Sequence, residues 1–214
     1  RNFIAEDYIA LTRNANVAVG ELLATESALS QITDLLSRAS ELAVQAANGT
    51  LSGSERTSIA QEVSQLLRQA IDVGNSQYAG HYLFAGQLTN TAPYVPDNPT
   101  TPTTVTYAGD TGRIERELSP GTRVSINITG NRLTPFDSLI TFRDNLLANN
   151  TSALSLDANA VNAQLDATLR LRSEIGAAVR RVDNSIETLA DANLRLRVDL
   201  ASIEELGLSQ AIVE

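Results

Sequence analysis

"LLATESALSQITDLLSRASELAVQAA" at 22–47 decides the fold. Leu22, Thr25, Leu29, Ile32, Leu36, Ala39, Ala43 and Ala46 recur there in alternating steps of three and four. Such steps line side chains along one stripe of a helix and, when sustained, form a coiled-coil seam. Leu35 and Leu42 widen the stripe, which predicts contact with more than one neighbour. The helix is expected over residues 8 to about 47. At about 1.5 Å per residue it is a rod of roughly 60 Å.

A second rod is expected near the other end of the chain, over about 157–205. Its seam runs through Val161, Leu165, Thr168, Arg172, Ile175, Val179, Val182, Ile186, Leu189, Asn193, Leu196, Leu200 and Ile203. That pattern predicts a rod of about 70 Å. Arg172 and Asn193 interrupt the seam, and Asn in such a seam often fixes register. Between the rods, "NGTLSGS" at 48–54 breaks the helix. Asn48-Gly49 suits a left-handed C-cap, and Ser52 or Ser54 suits the next N-cap, with Glu55 in capping-box spacing from Ser52. A returning helix to about Ser76, with Ile59, Val63, Leu66, Ala70 and Val73 on one face, predicts an antiparallel hairpin. A further helix opens at Pro135, with Thr134 expected as its N-cap and Asp137 in its first turn.

The middle of the chain has another texture. Pro93, Pro96, Pro99 and Pro102 exclude a helix there. "TTVTYA" at 103–108 and "RIEREL" at 113–118 flank "GDTG", which predicts a hairpin; "SPGT" at 119–122 predicts another turn. "RVSINITG" at 123–130 alternates strictly, with Val124, Ile126 and Ile128 on one strand face. The expected fold is therefore mainly α: a long-helix, coiled-coil-like bundle with a small β-rich insert. The expected division is a discontinuous helical rod, 1–86 plus 131–214, and an insert, 87–130. Both termini are expected at one end of the rod.

Composition narrows function. The 214 residues carry 16 Lys and Arg against 25 Asp and Glu, a net charge of -9, which disfavours a nucleic-acid partner. There is no Cys and one His, so thiolate and multi-His metal sites are not available. No apolar run is long enough to span a membrane, and no signal peptide opens the chain. No catalytic, cofactor-binding or metal residues are expected. The pairs Glu115/Glu117 and Glu204/Glu205 read as solvated carboxylates, with Arg113 or Arg116 expected to relieve the first pair. "AGDTG" at 108–112 lacks the lysine of a phosphate loop. Asn127-Ile128-Thr129 and Asn150-Thr151-Ser152 have glycosylation-acceptor spacing.

"QYAGHYLFAG" at 77–86 holds three of the nine aromatic residues, Tyr78, Tyr82 and Phe84, beside His81. It reads as a joint between rod and insert. Gly80 and Gly86 are expected to take backbone shapes closed to other residues, and the three aromatics to plug the corner.

Two separated stretches resemble the flagellin superfamily. "RNANVAVGELLATESALSQITDLLSRASELAVQAANGT" at 13–50 is similar to its N-terminal helical core. "LDATLRLRSEIGAAVRRVDNSIETL" at 165–189 is similar to its C-terminal helix. The phrase "YAGHYLFAG" at 78–86 resembles the hook-filament junction branch, the hook-associated protein 3 family, where flagellins have a phrase such as "FNGxxLL". The resemblance covers about 8–90 and 135–205, and it implies that the family's terminal coiled-coil segments are missing here. It implies a structural axial protein of the bacterial flagellum, extracellular and exported without a cleaved signal peptide. That protein would self-associate into a ring or tube and transmit torque. The implied partners are hook-associated protein 1 on the hook side, flagellin on the filament side and an export chaperone. The alternative is flagellin itself, the main filament subunit. Arg38, Glu41, Leu42 and Glu62 fall where flagellins present a patch to an innate immune receptor and to neighbouring subunits. An enzyme finds no constellation in the sequence. An adaptor coiled coil would not need the proline-rich insert.

Overall fold

The computed structural model describes residues 2–119 and 121–213, with side chains described over 7–119 and 121–203. Four helices carry the architecture: α1 (Asn2–Ala47), α2 (Gly53–Gly74), α3 (Phe136–Leu147) and α4 (Leu154–Val213). Both long rods exceed their expected lengths: α1 is 46 residues and α4 is 60, about 70 and 90 Å. α1 and α4 pack antiparallel. Ser40 meets Asn162 and Glu26 meets Arg172, so residue numbers fall on one helix as they rise on the other. α2 turns back along α1 and packs against α3.

Local chemistry sets the helix ends. Gly49, at φ +73°, stops α1 in the left-handed region, as Asn48-Gly49 predicts. Ser52 is the N-cap of α2, with a complete capping box to Glu55. The Glu55 carboxylate accepts from the Ser52 backbone N–H at 2.7 Å, which pulls its pKa below the ordinary value. At α3 the expected cap is absent. Pro135 already has helical dihedrals, and the Thr134 hydroxyl lies 3.5 Å from Gln164 Oε1 instead of on a helix N–H.

The seam residues Leu22, Thr25, Leu29, Ile32, Leu36, Ala39, Ala43 and Ala46 are all buried. On α4, Val161, Thr168, Ile175, Val182 and Leu189 are buried, but Leu196 and Leu200 are half-exposed and Ile203 is exposed. The α4 seam is thus filled along its first two thirds and open toward the terminal end, where α1 alone is its neighbour among the described residues.

The middle segment forms three separate two-stranded antiparallel ladders: β1 (Gln77–Tyr78) with β2 (His81–Tyr82), β3 (Tyr94–Pro96) with β4 (Val105–Tyr107), and β5 (Glu115–Ser119) with β6 (Thr122–Ser125). The expected hairpin across "GDTG" does not form. The Asp110 carboxylate accepts from the backbone N–H groups of Gln87 and Gly112, so it ties this loop to 86–87. β4 turns back to β3, and β5 pairs forward across "SPGT", where Gly121 sits at φ +76°. The strand expected over 123–130 ends at Ser125. Val124, Ile126 and Ile128 are nonetheless all buried, as the alternation implies. Asn127 explains the early end: its side-chain amide accepts from the Ile114 N–H and donates to the Gly112 carbonyl, replacing ladder bonds. Phe84, Tyr94, Leu118 and Ile126 from this segment join the helix side chains in one buried cluster.

Candidate interaction surfaces

The joint at 77–86 is built differently from its sequence reading. Phe84 is fully buried, as expected, but Tyr78 and His81 are exposed and Tyr82 is half-buried. The plug is made by Phe84 together with Tyr94, Tyr107 and Phe136. The Tyr94 ring lies 4.7 Å from Phe136 and 5.7 Å from Tyr107, both tilted, within the favourable range for aromatic pairs. The Phe84 carbonyl accepts from the Gly130 N–H and from the Tyr107 hydroxyl, both at 2.9 Å. The Tyr94 hydroxyl donates to the Gly130 carbonyl at 2.9 Å, and burial pushes its pKa up. Asn75, just past α2, accepts from the Tyr94 N–H and donates to the Tyr94 carbonyl, which fixes β3 to the rod.

Two glycines of the joint do what the sequence implies. Gly80 and Gly86 have φ of +83° and +70°. A Cβ on Gly86 would lie 2.0 Å from Asp110 Oδ1, so close approach as well as dihedral demands glycine there. Ala79 shares the left-handed region at φ 50°, completing a two-residue turn of the primed type. The β1–β2 hairpin lays Tyr78 over Gly20 of α1, where a Cβ would fall 2.2 Å from the Tyr78 hydroxyl oxygen. Gly20 is therefore the seat for Tyr78. Neither the seat nor the Asn75 clamp is legible in a helical periodicity.

Beneath that hairpin is a groove of about 460 Å³ between α1, the hairpin and β5, lined by Val17, Glu21, Tyr78, His81, Ile114 and Arg116 among others. Burial raises the Glu21 pKa, with Arg116 and His81 acting in the opposite sense. The histidine thus has a carboxylate for company but no further ligand group. Among the described residues no cluster of His, Cys, Asp or Glu fits a metal ion.

Of the four residues of the expected patch, three meet on the surface. Arg38 Nε donates to Glu62 Oε1 at 2.6 Å and its Nη1 to Glu41 Oε2 at 2.9 Å. Leu42 does not join them: it is 2% exposed and belongs to the core. Glu115 and Glu117 are relieved neither by Arg113 nor by Arg116. Glu117 faces Arg123 across the ladder, 3.9 Å away, and accepts from the Gly121 N–H. The side chains of Glu204 and Glu205 lie outside the described residues. Asn127 spends its amide inside the fold, whereas Asn150 is exposed, with the Ser152 hydroxyl donating to its Oδ1.

Two half-buried or bidentate ion pairs tie elements together. Arg172 donates to Glu26 at 2.7 Å across the α1–α4 seam, at the position where Arg172 interrupts the apolar pattern. Arg132 grips Glu174 through both guanidinium nitrogens, at 2.6 and 2.8 Å, and lowers the Glu174 pKa. At the far end of the rod a second groove, about 430 Å³, opens between the two long helices, lined by Ile9, Thr12, Leu189, Asn193, Leu194 and Arg197 among others. Ile9, Leu194 and Val198 are 51%, 63% and 60% exposed. No helix of the described residues is long and apolar enough to cross a membrane.

Known proteins match both the sequence and the fold. Residues 5–89 match the bacterial flagellin N-terminal helical region. Flagellar hook-associated protein 3 of Escherichia coli strain K12 is 34% identical over 115 residues, which cover 53% of this chain and 34% of that protein. A flagellin of Salmonella muenchen is 42% identical over 81 residues, 37% of this chain and 16% of that protein. The matched stretches thus span about a third or less of those curated relatives. The crystal structure of Xanthomonas campestris FlgL superposes with a TM-score of 0.86 at 18% identity, covering 94% of this chain and all of that one. That of Bacillus cereus flagellin superposes with a TM-score of 0.52 at 21% identity, covering 83% and 88%. The N-terminal part of the chain is thus similar in sequence to the flagellin N-terminal helical region, and its fold is that of the FlgL structure over 94% of its length.

Proposed function

We propose that this chain is the rod and insert portion of a structural axial protein of the bacterial flagellum, placed at the junction of hook and filament. The observation that carries the reading is the contrast in fold likeness, 0.86 to a FlgL structure against 0.52 to a flagellin. The joint at 77–86 supports it, because that phrase resembles the junction branch and forms the corner on which the insert is oriented. On this reading the protein lies outside the cell. It contacts a protein of the hook side, hook-associated protein 1, and flagellin on the filament side, with an export chaperone beforehand. Subunits pack side by side in a ring or tube, and torque passes through those contacts. The open groove between α1 and α4, with exposed Ile9, Leu194 and Val198, supports packing at that end of the rod. The division into rod, 1–86 plus 131–214, and insert, 87–130, is proposed as the functional one. The rod carries axial packing and the insert forms the outer face. A thin bundle without cysteine suits export of an unfolded chain, since no disulfide has to be reduced.

The second reading is flagellin. It draws support from the 42% identity of the N-terminal region to the Salmonella muenchen protein. Immunogold labelling of intact flagella with antibody to this chain separates the two. A narrow band at the hook-filament boundary is expected. Label along the whole filament selects flagellin, and label off the flagellum overturns both.

A further inference from the structure

The chain is acidic overall, yet one groove is arginine-rich. It lies between α4 and the β5–β6 ladder, has a volume of about 620 Å³, and is lined by Arg113, Arg132 and Arg181. Thr111, Ser125 and Ser173 add hydroxyls, and Glu174 is the only carboxylate of the lining. Arg132 already holds Glu174, so the groove shows on its own wall that it accommodates a carboxylate. Arg113 and Arg181 are exposed and make no ion pair among the described residues.

α4 also carries the complement. Asp183, Glu187 and Asp191 stand at successive i, i+4 positions and are all exposed. Like charges at that spacing repel, which disfavours the isolated helix. Arg180 and Arg195 bracket the stripe, but none of the three carboxylates has an ion pair among the described residues. From Arg181 to Glu187 is about 9 Å along the helix and about 120° around it. The two patches therefore face different sides of the same rod and cannot satisfy each other within one chain.

We infer that the arginine groove receives the Asp183–Glu187–Asp191 face of a second copy of this chain. The contact is heterologous, one patch against a different patch, so repetition generates a ring or a helical array and not a closed pair. It sets a stagger of about 9 Å between neighbours. Net charge would otherwise keep copies apart, so this contact supplies orientation as well as attraction. The inference rests on the proposed axial role and names the surfaces that role would use.

The absence of native cysteine makes the test clean. One batch of chain carries Thr111→Cys at the groove, a second carries Asn184→Cys beside the acidic stripe, and the two are mixed and oxidised at low salt. The mixed disulfide is expected to exceed either like-with-like product at least tenfold. Arg113→Glu with Arg181→Glu in the first batch is expected to abolish that excess, and Asp183→Lys with Glu187→Lys in the second to restore it. Circular dichroism checks that each variant is folded. Equal amounts of all three products, or an excess untouched by the arginine changes, overturns the inference. A third pair, Thr12→Cys with Asn193→Cys at the far groove, separates the two ideas. Cross-linking there but not at the arginine groove leaves the axial reading standing and removes this one. Cross-linking at neither site counts against both.

Discussion

The two ends of the rod are built from the same heptad-like pattern and have different fates. Around Leu36, Val63 and Phe142 the seam is enclosed by α1, α2, α3 and α4, and these side chains are fully buried. Around Ile9 and Leu194 only α1 and α4 remain among the described residues, and both of these side chains are left more than half exposed. Periodicity reports which face is apolar but not how many neighbours are present to bury it. The enclosed end stabilises the monomer. The open end leaves apolar surface uncovered.

Four substitutions sharpen that contrast. Phe84→Ala removes the largest fully buried side chain of the joint and is expected to cost about 3–5 kcal/mol in urea unfolding. A near-neutral result breaks the account of the joint. Leu189→Ala, in the two-helix region, is expected to cost about 2 kcal/mol, the low end for such truncations, because fewer atoms surround the cavity. A cost equal to that of Phe84→Ala would erase the difference between the ends. Ala79→Asn is expected to gain about 0.5–1 kcal/mol, since the left-handed conformation at φ 50° suits asparagine in an Asn-Gly turn. A loss there would mean that the Ala79 methyl makes a contact worth more than the strain.

The smallest effect is a pH slope. Glu21 is raised above its ordinary value of 4.5 by burial, so the folded chain holds its proton more tightly than the unfolded chain. Its contribution to stability is greatest below pH 4.5 and is lost as pH rises through the raised value. Glu21→Gln is expected to flatten the stability curve just above pH 4.5, measured by thermal unfolding at a series of pH values. An unchanged curve would remove Glu21 from the account.

The helices were legible because their signals are local. Seam spacing, Asn48-Gly49 and the Ser52–Glu55 box each act within a few residues, and each is found in the structure. The strand pairing was not, because it is settled by groups distant in sequence. Asp110 binding the Gln87 N–H and Asn127 bridging Gly112 and Ile114 decide where ladders stop. The same holds for the joint. Aromatic density at 77–86 pointed to the right corner but to two wrong rings. Tyr94 packs on Tyr107 and Phe136, the Tyr107 hydroxyl donates to the Phe84 carbonyl, and only the fold brings these three other elements together. Leu42 shows the converse, a residue assigned to a surface patch that the width of its own stripe carries into the core.

The contrast between enclosed and open ends is tested most directly by native-state hydrogen exchange of the free chain, resolved by residue. Amides of 22–46 and 158–182 are expected to exchange only with global unfolding. Those of 8–18 and 189–203 are expected to exchange at least tenfold faster, through local opening. Uniform protection along both long helices would contradict the account, because it would show that the two-helix end is as self-sufficient as the enclosed one.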